Sequence, residues 1–289
     1  MRTTSMLRAA LATGRTQWSA SAYDALSARL IEEAGFDLVQ TAGLAISASA
    51  LGMPDAELCT MTENLQVVRA CTAVTRLPII ADADTGYGNA VNVMRTVREF
   101  ERAGVAGIAL EDQVSPKRCP RMSHVDILPF DEAVGKIRAA VAAKTDPDFV
   151  IVARTDAEDD AEAIRRGKAF AEAGADLIMV IGKHRKDFAA LRAIRVAVGK
   201  PLKVHVTGWL EDVDRRDIES IAGIAGFAHV ALYSAVAAVR NNLAALRRDL
   251  SPRGLPQPQI SREDFRVLIG FPEVDEVQRL YMPATGAKP

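Results

Sequence analysis

The sequence predicts a (β/α)₈ TIM barrel, an α/β fold in which eight parallel strands alternate with helices. Ala-Gly pairs recur before short apolar runs, as expected where a glycine ends a helix and the chain turns into a strand. Several runs end in charged residues, which is typical of the barrel face that carries functional side chains. Eight candidate strands match a closed barrel better than an open sheet. They are residues 17–20, 36–40, 78–83, 107–110, 149–154, 176–181, 201–206 and 227–233.

The helix assignments depend on the glycine repeat and on apolar periodicity. Residues 90–103 illustrate the periodicity, because Val93, Val97 and Phe100 fall on one helical face. The repeat predicts that each glycine adopts the left-handed conformation that follows a helix. Its members are Ala34-Gly35, Ala103-Gly104, Ala173-Gly174 and Ala225-Gly226.

The length of the chain allows one large core. It has 289 residues, of which 49% are hydrophobic, and α/β barrels of this length commonly form a single domain. We expect residues 1–250 to form the barrel. Residues 251–289 begin with a proline-rich turn region at 251–258 and continue into an amphipathic stretch at 264–281, so we expect a tail that packs on the barrel or on a neighbouring subunit.

Charge and cysteine content exclude several classes of function. The 36 Lys and Arg residues balance 37 Asp and Glu residues, so nucleic acid is not an expected partner. No segment approaches the roughly 20 apolar residues of a membrane span. Cys59, Cys71 and Cys119 are too few for a disulfide framework, which suits a reducing compartment and predicts a cytoplasmic protein.

Two carboxylates end the third predicted strand. Asp82 and Asp84 follow the apolar run 78–81 and precede a glycine-rich loop at 85–89. Residues two apart on a strand point to the same face, and two close carboxylates repel each other unless a cation or a proton separates them. Mg²⁺ is the natural candidate. The alternative is a pair of solvated aspartates in a turn, which the Asp-Thr-Gly composition also favours.

A basic loop around Cys119 follows the acidic strand end at Glu111. Lys117, Arg118 and Arg121 surround the cysteine, and positive charge favours the reactive thiolate. The alternative is a basic surface loop with an incidental cysteine. Proximity to the predicted metal site favours the catalytic interpretation.

These motifs together resemble the isocitrate lyase/phosphoenolpyruvate mutase superfamily, particularly its methylisocitrate lyase and dimethylmalate lyase branch. The resemblance extends over residues 15–250 and rests on four segments: 51–55, 82–89, 110–119 and 145–157. It implies a barrel with a C-terminal helix swapped between subunits, a dimer of dimers, and Mg²⁺-dependent chemistry beside a 2-oxo or 2-hydroxy acid.

The resemblance also implies the metal ligands. Asp82 and Asp84 would hold Mg²⁺, or Mn²⁺ as the alternative ion, with Asp84 the more direct ligand. Glu111 would act through ordered water, and Asp55 would belong to the outer shell of the metal.

By the same resemblance, the backbone at Ala42, Gly43 and Leu44 would bind a substrate carboxylate. A serine hydroxyl that family members use at this place is missing here. Arg154 would clamp a carboxylate with its planar guanidinium, and Thr207 retains a family position in the seventh strand.

The catalytic set implied by the resemblance lies in the basic loop. Cys119 matches the lyase acid that protonates the carbanion-like product of C–C cleavage, and Lys117 and Arg118 precede it. Together with Arg154, these residues are the predicted catalytic groups.

The chain departs from the lyase pattern at several positions. Pro120 and Arg121 replace Gly-His after the cysteine, Ile181 replaces a glutamate, and His205 replaces an asparagine. Arginine cannot replace histidine as a neutral acid or base. The substitutions make the pocket more cationic, so Arg121 and His205 are predicted to bind a more anionic substrate.

The resulting functional prediction is a Mg²⁺-dependent carbon–carbon lyase. Its expected substrate is a small 2-hydroxy di- or tricarboxylic acid, cleaved by retro-aldol chemistry. Decarboxylation of a 2-oxo diacid and C–P bond chemistry remain open alternatives within the same superfamily. A non-catalytic, metabolite-binding descendant is a third alternative, because Pro120, Arg121 and Ile181 depart from the lyase pattern.

Overall fold

A computed structural model of the chain describes residues 1–119, 125–182 and 185–282. Eight parallel strands close into a barrel in sequence order, with β1 paired to both β2 and β8, as predicted. The strands are β1 (Gln17–Ala22), β2 (Leu38–Thr41), β3 (Ile79–Asp82), β4 (Gly107–Glu111), β5 (Val150–Thr155), β6 (Leu177–Val180), β7 (Leu202–His205) and β8 (Ala222–Phe227).

Helices precede, connect and follow the strands. A π-helical turn at Ser47–Leu51 and a 3₁₀ turn at Gly208–Asp212 supplement them. The α-helices are α1 (Thr3–Ala12), α2 (Ala25–Glu33), α3 (Gly43–Ile46), α4 (Met61–Val74), α5 (Ala90–Arg102), α6 (Phe130–Ala143), α7 (Asp160–Glu172), α8 (Phe188–Val198), α9 (Arg215–Ile221), α10 (Val230–Asp249), α11 (Arg262–Leu268) and α12 (Phe271–Tyr281).

Three of the four predicted helix-ending glycines adopt the left-handed conformation. Gly35, Gly104 and Gly174 have φ values of 80°, 88° and 101° and follow α2, α5 and α7. A residue in the left-handed conformation lets the chain turn out of the helix, and glycine adopts this conformation without steric strain because it has no Cβ. The helical face of α5 predicted from periodicity is also confirmed, because its three apolar residues are buried.

The prediction for the fourth glycine and the last strand was wrong. Gly226 lies inside β8, which spans Ala222–Phe227, and most of the predicted segment 227–233 belongs to α10 and the turn before it. A Cβ on Gly226 would lie 2.3 Å from the side chains of both Gln40 and Ser19. Glycine is therefore required here by close packing inside the barrel, and not by the end of a helix.

The core has two principal parts. The larger cluster lies between the strands and the surrounding helices and includes Phe100, Phe149 and Phe170. A second cluster contains barrel residues such as Ile80, together with Leu7 of α1. Because α1 also contacts the N-terminal ends of strands through hydrogen bonds to residues 148, 149 and 176, it covers the end of the barrel opposite the strand C-termini.

The chain divides into two compact units, Met1–Leu232 and Tyr233–Pro289. Within the second unit, the side chain of Asn242 donates to the backbone oxygen of Gln257 and accepts from its N–H, at 3.1 and 3.0 Å. The predicted amphipathic stretch forms two helices, α11 and α12, which are separated at Gly270 with a φ of 86°. In the described part of the chain, every helix is too short or too polar to span a membrane.

Candidate active site

The candidate active site lies at the C-terminal ends of the barrel strands. Asp82 ends β3, Glu111 ends β4 and His205 ends β7, while Arg154 is the penultimate residue of β5. Parallel strands in a closed barrel bring these ends to one face. Sequence-distant charged side chains are therefore gathered around one opening.

The two motif aspartates meet beside the N-terminus of α3. The N–H of Gly43 donates to Asp82 Oδ2 at 2.8 Å. A Cβ on Gly43 would lie 2.8 Å from Asp84 Oδ1 and 3.2 Å from Asp82 Oδ2. A larger residue would therefore crowd both carboxylates. Asp84 reaches this place by a left-handed turn with a φ of 50°, and not as a continuation of the strand.

Lys117 places a positive charge within this carboxylate cluster. Its Nζ lies 2.5 Å from Asp84 Oδ1 and 2.9 Å from Asp55 Oδ1. Burial alone would lower the pKa of Lys117, but the surrounding carboxylates raise it well above the ordinary value. The lysine thus stays charged and partly neutralises the cluster.

The loop that carries Lys117 is anchored by Glu57. This carboxylate accepts hydrogen bonds from Ser115 Oγ at 2.7 Å and from the N–H of Lys117 at 3.0 Å. It also accepts from Thr85 Oγ1, which belongs to the aspartate motif. Glu57 therefore joins the basic loop to the loop that follows β3.

Arg154 is held between two buried carboxylates. Its guanidinium lies 2.5 Å from Glu111 Oε2 and 2.8 Å from Asp156 Oδ1. Burial raises the pKa of Glu111 to about 8, despite the opposing effect of Arg154. Burial likewise raises the pKa of Asp84 to about 6, against the lowering effect of Lys117.

A pocket of roughly 310 Å³, including the part open to solvent, lies inside this ring of strand ends. Lys203 and His205 face it from β7, and Lys203 Nζ is 2.8 Å from His205 Nε2. The wall thus combines acidic groups on one side with basic groups on the other. Its lining residues are Thr41, Ile80, Asp82, Ala109, Glu111, Arg154, Met179, Lys203 and His205.

A family model described as phosphoenolpyruvate phosphomutase matches residues 7–247. The chain belongs to the phosphoenolpyruvate phosphomutase family. It is 39% identical to 2,3-dimethylmalate lyase of Eubacterium barkeri over 99% of this chain and 100% of that protein. It is also 38% identical to an oxaloacetate decarboxylase of Chromohalobacter salexigens, over 88% of each.

A solved structure of phosphonopyruvate hydrolase in complex with oxalate and Mg²⁺ is also similar. Its TM-score is 0.90 and its identity 35%, with 98% of this chain and 100% of that chain covered. A 2,3-dimethylmalate lyase structure with a TM-score of 0.89 is described as a PEP mutase/isocitrate lyase superfamily member. The predicted superfamily is therefore confirmed, and the chain is an enzyme of lyase type within it.

The carboxylates of this family member fit a hard divalent cation. Glu111 Oε1 accepts no hydrogen bond within the described part of the chain, and Asp84 Oδ1 faces the ammonium of Lys117. Residues 1–119, 125–182 and 185–282 contain no group of three or more His, Cys, Asp or Glu side chains arranged around a metal position. Mg²⁺ nevertheless commonly uses only one or two protein carboxylates and retains several waters.

The structure gathers only part of the predicted site. Asp55, Asp82, Asp84, Lys117 and Gly43 form one cluster, which adjoins the pocket through Asp82. The predicted substrate-binding amide of Gly43 donates to Asp82 instead.

The remaining predicted residues have more varied positions. Ala42 is the residue before α3, and Leu44 packs beside it in a small apolar cluster. Thr207 precedes the 3₁₀ turn after β7. Arg118 has an exposed side chain, and Cys119 is half-buried.

Of the three departures from the lyase pattern at residues 120, 121 and 181, only the last falls within the described residues. Arg121 lies outside the described residues, as does Pro120. Ile181 directly follows β6 and packs against the apolar cluster inside the barrel. The structure therefore places an apolar side chain where the lyase pattern has a carboxylate.

Sequence reasoning missed the side chains that hold Asp84. Tyr87 Oη donates to Asp84 Oδ2 at 3.2 Å and accepts from Asn64 Nδ2 at 2.7 Å. Asn64 also donates to the backbone oxygen of Asp82 at 2.9 Å. No sequence pattern pointed to Asn64, because it lies on α4, remote from the motif.

Lys203 was missed although the sequence contained a signal. It is flanked by apolar residues in the middle of β7, where a lysine is unexpected in a buried strand. Burial lowers its pKa to about 8. Its position shows that the pocket extends below the strand ends into the barrel.

Replacing Lys203 with methionine is expected to stabilise the protein at pH 7 by about 3 kcal/mol, because the folded pKa lies below the unfolded value. Below pH 8 both states are protonated and the native state bears the full cost of burying the charge. The native lysine loses its proton first as the pH rises, so the gain should shrink between pH 8 and 10.5. Denaturant titrations of both proteins across this range would measure it; a gain that does not change with pH would contradict the assignment.

Proposed function

We propose that this enzyme is a Mg²⁺-dependent carbon–carbon lyase that cleaves a small 2-hydroxy di- or tricarboxylic acid by a retro-aldol reaction. The observation that carries the proposal is the convergence of Asp82, Asp84 and Asp55 beside a pocket that also contains Arg154. The 39% identity to a 2,3-dimethylmalate lyase over nearly the whole chain supports the choice of reaction.

In the proposed arrangement, Asp84 and Asp82 hold the metal, and Glu111 acts through water. The bound Mg²⁺ would supply a positive charge that stabilises the negative charge developing at the oxygen of the 2-hydroxyl group during cleavage. Lys117 limits the repulsion among the carboxylates, since it is already paired with Asp84 and Asp55. Asp84 and Glu111 are buried, and electrostatic interactions are stronger in a site from which water is excluded.

The protein would orient the substrate by its carboxylates. Arg154 has a fixed guanidinium plane, because Glu111 and Asp156 both accept from it, and such a plane suits a planar carboxylate. The backbone N–H of Leu44 lies in the first turn of α3, where N–H groups have no partner within the helix. These groups would bind the acid next to the reacting carbon.

Cys119 would complete the reaction. Cleavage converts the 2-hydroxyl to a carbonyl as its proton passes to solvent, and the electrons of the broken C–C bond remain on C3; solvent would also restore the proton that the cysteine gives up. The thiol of Cys119 would then protonate C3. Glu57 supports this role indirectly, because it holds the side chain of Ser115 and the backbone of Lys117 just ahead of the cysteine.

Two other reactions of the same superfamily remain alternatives. Decarboxylation of a 2-oxo diacid is supported by the 38% identity to an oxaloacetate decarboxylase. C–P cleavage is supported by the 35% identity to a phosphonopyruvate hydrolase. Ile181 favours either one over retro-aldol cleavage, since it removes a carboxylate from the lyase pattern.

Product analysis distinguishes these reactions. The purified protein should be incubated with Mg²⁺ and separately with substituted malates, oxaloacetate and phosphonopyruvate. We expect a 2-oxo acid and a second carboxylic acid from a malate. Pyruvate with CO₂ would instead identify a decarboxylase, and pyruvate with phosphate a C–P hydrolase. Binding without turnover of any compound would identify a metabolite-binding descendant.

We also propose that the chain assembles as a dimer of dimers through its C-terminal helices. Apolar residues on α12 are exposed within this single chain, including Phe271, Val274, Val277 and Leu280. Deleting residues 251–289 is expected to reduce the mass of the assembly measured by light scattering from that of a tetramer. An unchanged tetramer would contradict the role of this segment.

A further inference from the structure

Lys203 is a buried cation on the wall of the candidate pocket. Its residue exposure is 4%, and its side chain faces the pocket from β7. Within residues 1–119, 125–182 and 185–282, the contacts of its Nζ are His205 Nε2 at 2.8 Å and Met179 Sδ at 3.7 Å. Neither neighbour carries a negative charge.

Lys117 and Arg154, two other cations of the site, are each paired with carboxylates. Lys117 contacts Asp55 and Asp84, and Arg154 contacts Glu111 and Asp156. Lys203 contacts no carboxylate in the part of the chain that the structure describes. Burying an ammonium group without an opposite charge is costly, so this position is suited to an anion supplied from outside the protein.

The position of β7 determines which part of a ligand could supply that anion. β3 and β7 are four strands apart in a barrel of eight, so they face each other across the pocket. Asp82 and Lys203 line the same pocket from these two strands. A ligand held at the β3 side would extend its remote end toward Lys203.

We propose that Lys203, supported by His205, is a subsite for the second acidic group of the substrate, a carboxylate or phosphonate remote from the 2-oxo or 2-hydroxy acid end. This inference rests on the proposed function, since it assumes that the other end of the substrate binds beside Asp82 and Arg154. It assigns to Lys203 a role in selecting diacids over monoacids.

The electrostatics of the pocket agree with this role. Burial lowers the pKa of Lys203 to about 8, while Asp82 raises it and Arg154 lowers it. An anionic group beside Nζ would favour the charged form. His205 Nε2 accepts from the ammonium of Lys203 at 2.8 Å, which keeps the ammonium in place. The same nitrogen then has no N–H to donate, so Gln40 Oε1 at 3.3 Å is a neighbour of the imidazole and not a second hydrogen-bond partner.

The test compares two ligands that differ in one charged group, pyruvate and 3-sulfopyruvate. Both carry the 2-oxo acid end, and only the second carries a remote sulfonate. Dissociation constants should be measured by calorimetry in the presence of Mg²⁺. The variants are Lys203→Met, His205→Asn and, as a matched control, Lys168→Met, which removes an exposed lysine on α7.

We expect the wild-type protein and Lys168→Met to bind 3-sulfopyruvate more tightly than pyruvate. Lys203→Met should lose about ten- to a hundredfold in affinity for 3-sulfopyruvate, the usual loss when a charged hydrogen bond is removed, and little for pyruvate. His205→Asn should lose less, because the ammonium remains. Thermal melting establishes that each variant is folded.

Other outcomes overturn the inference in distinguishable ways. If the wild-type protein binds neither ligand, the proposed function and the subsite are both wrong. If Lys203→Met keeps the preference for 3-sulfopyruvate, or loses affinity equally for both ligands, the subsite alone is wrong. Borohydride trapping of pyruvate on Lys203, detected by mass spectrometry, would make the side chain a covalent nucleophile and would also overturn its assignment as a charged subsite.

Discussion

Replacing Asp84 with asparagine is expected to weaken the Mg²⁺-dependent binding of pyruvate and to abolish turnover. Asp84 Oδ1 lies at the centre of the carboxylate cluster, and its Oδ2 is fixed by Tyr87. Asparagine preserves the shape but removes the charge that a hard cation requires. A residue that supports a metal ligand from the outer shell usually contributes tenfold to a hundredfold to metal affinity. Because Asp84 would be a direct ligand, we expect its replacement to lower metal affinity by about a hundredfold or more.

Calorimetric titration of pyruvate with and without Mg²⁺ measures this effect. Asp131→Asn is a matched control, since Asp131 is exposed in the first turn of α6, and it should behave like the wild-type protein. Circular dichroism should show that Asp84→Asn is folded, because Lys117 retains its pairing with Asp55. A metal response in Asp84→Asn equal to that of the wild type would refute the metal assignment.

Replacing Cys119 with serine is expected to lower turnover of a 2-hydroxy acid by about 10²- to 10⁴-fold, the usual contribution of a positioned acid. A serine hydroxyl is a far weaker acid than a thiol, so protonation of C3 should become slow. Substrate binding should change little, since Arg154, which would hold a substrate carboxylate, lies on β5, and Asp82, which would hold the metal, ends β3.

The control separates chemistry from folding. Cys71 is buried in α4, so Cys71→Ala tests the general effect of losing a cysteine, and Cys119→Ala provides the paired change. Steady-state kinetics should show a fall in kcat for both Cys119 variants and a value near wild type for Cys71→Ala. Turnover by Cys119→Ser close to that of the wild type would favour decarboxylation or C–P cleavage, in which this proton donor is dispensable.

The sequence was sufficient to predict the barrel and the strand ends that carry the site. Asp82, Glu111 and Arg154 each follow a short apolar run. Such runs predict strands because the signal depends only on residues that are neighbours in the sequence. The helix-ending glycines were predictable for the same local reason. Gly226 was not, because its constraint comes from Gln40 and Ser19, which reach it only after the barrel has closed.

The convergence of Asp82 and Asp84 was predicted from their spacing on a strand, but in the structure only Asp82 belongs to the strand. The strand ends at Asp82, and the left-handed backbone of Asp84 brings its carboxylate to the cluster. The expected convergence of the two side chains is present. The turn at Asp84 produces this convergence, and Tyr87 and Asn64 hold the carboxylate in place. Asn64 lies on α4, so the spacing of the motif could not predict that it supports Asp84.

The family, the barrel and the identity of the acidic and basic groups could thus be predicted from the sequence, because these features depend on local patterns and on motifs. The pairing of the charges could not be predicted in this way, because it follows from the tertiary structure. That structure placed Lys117 among the carboxylates of Asp84 and Asp55 and left Lys203 beside His205 and Met179. Pairing depends on distances across the barrel between residues far apart in the chain, and burial then magnifies the consequence of each pair.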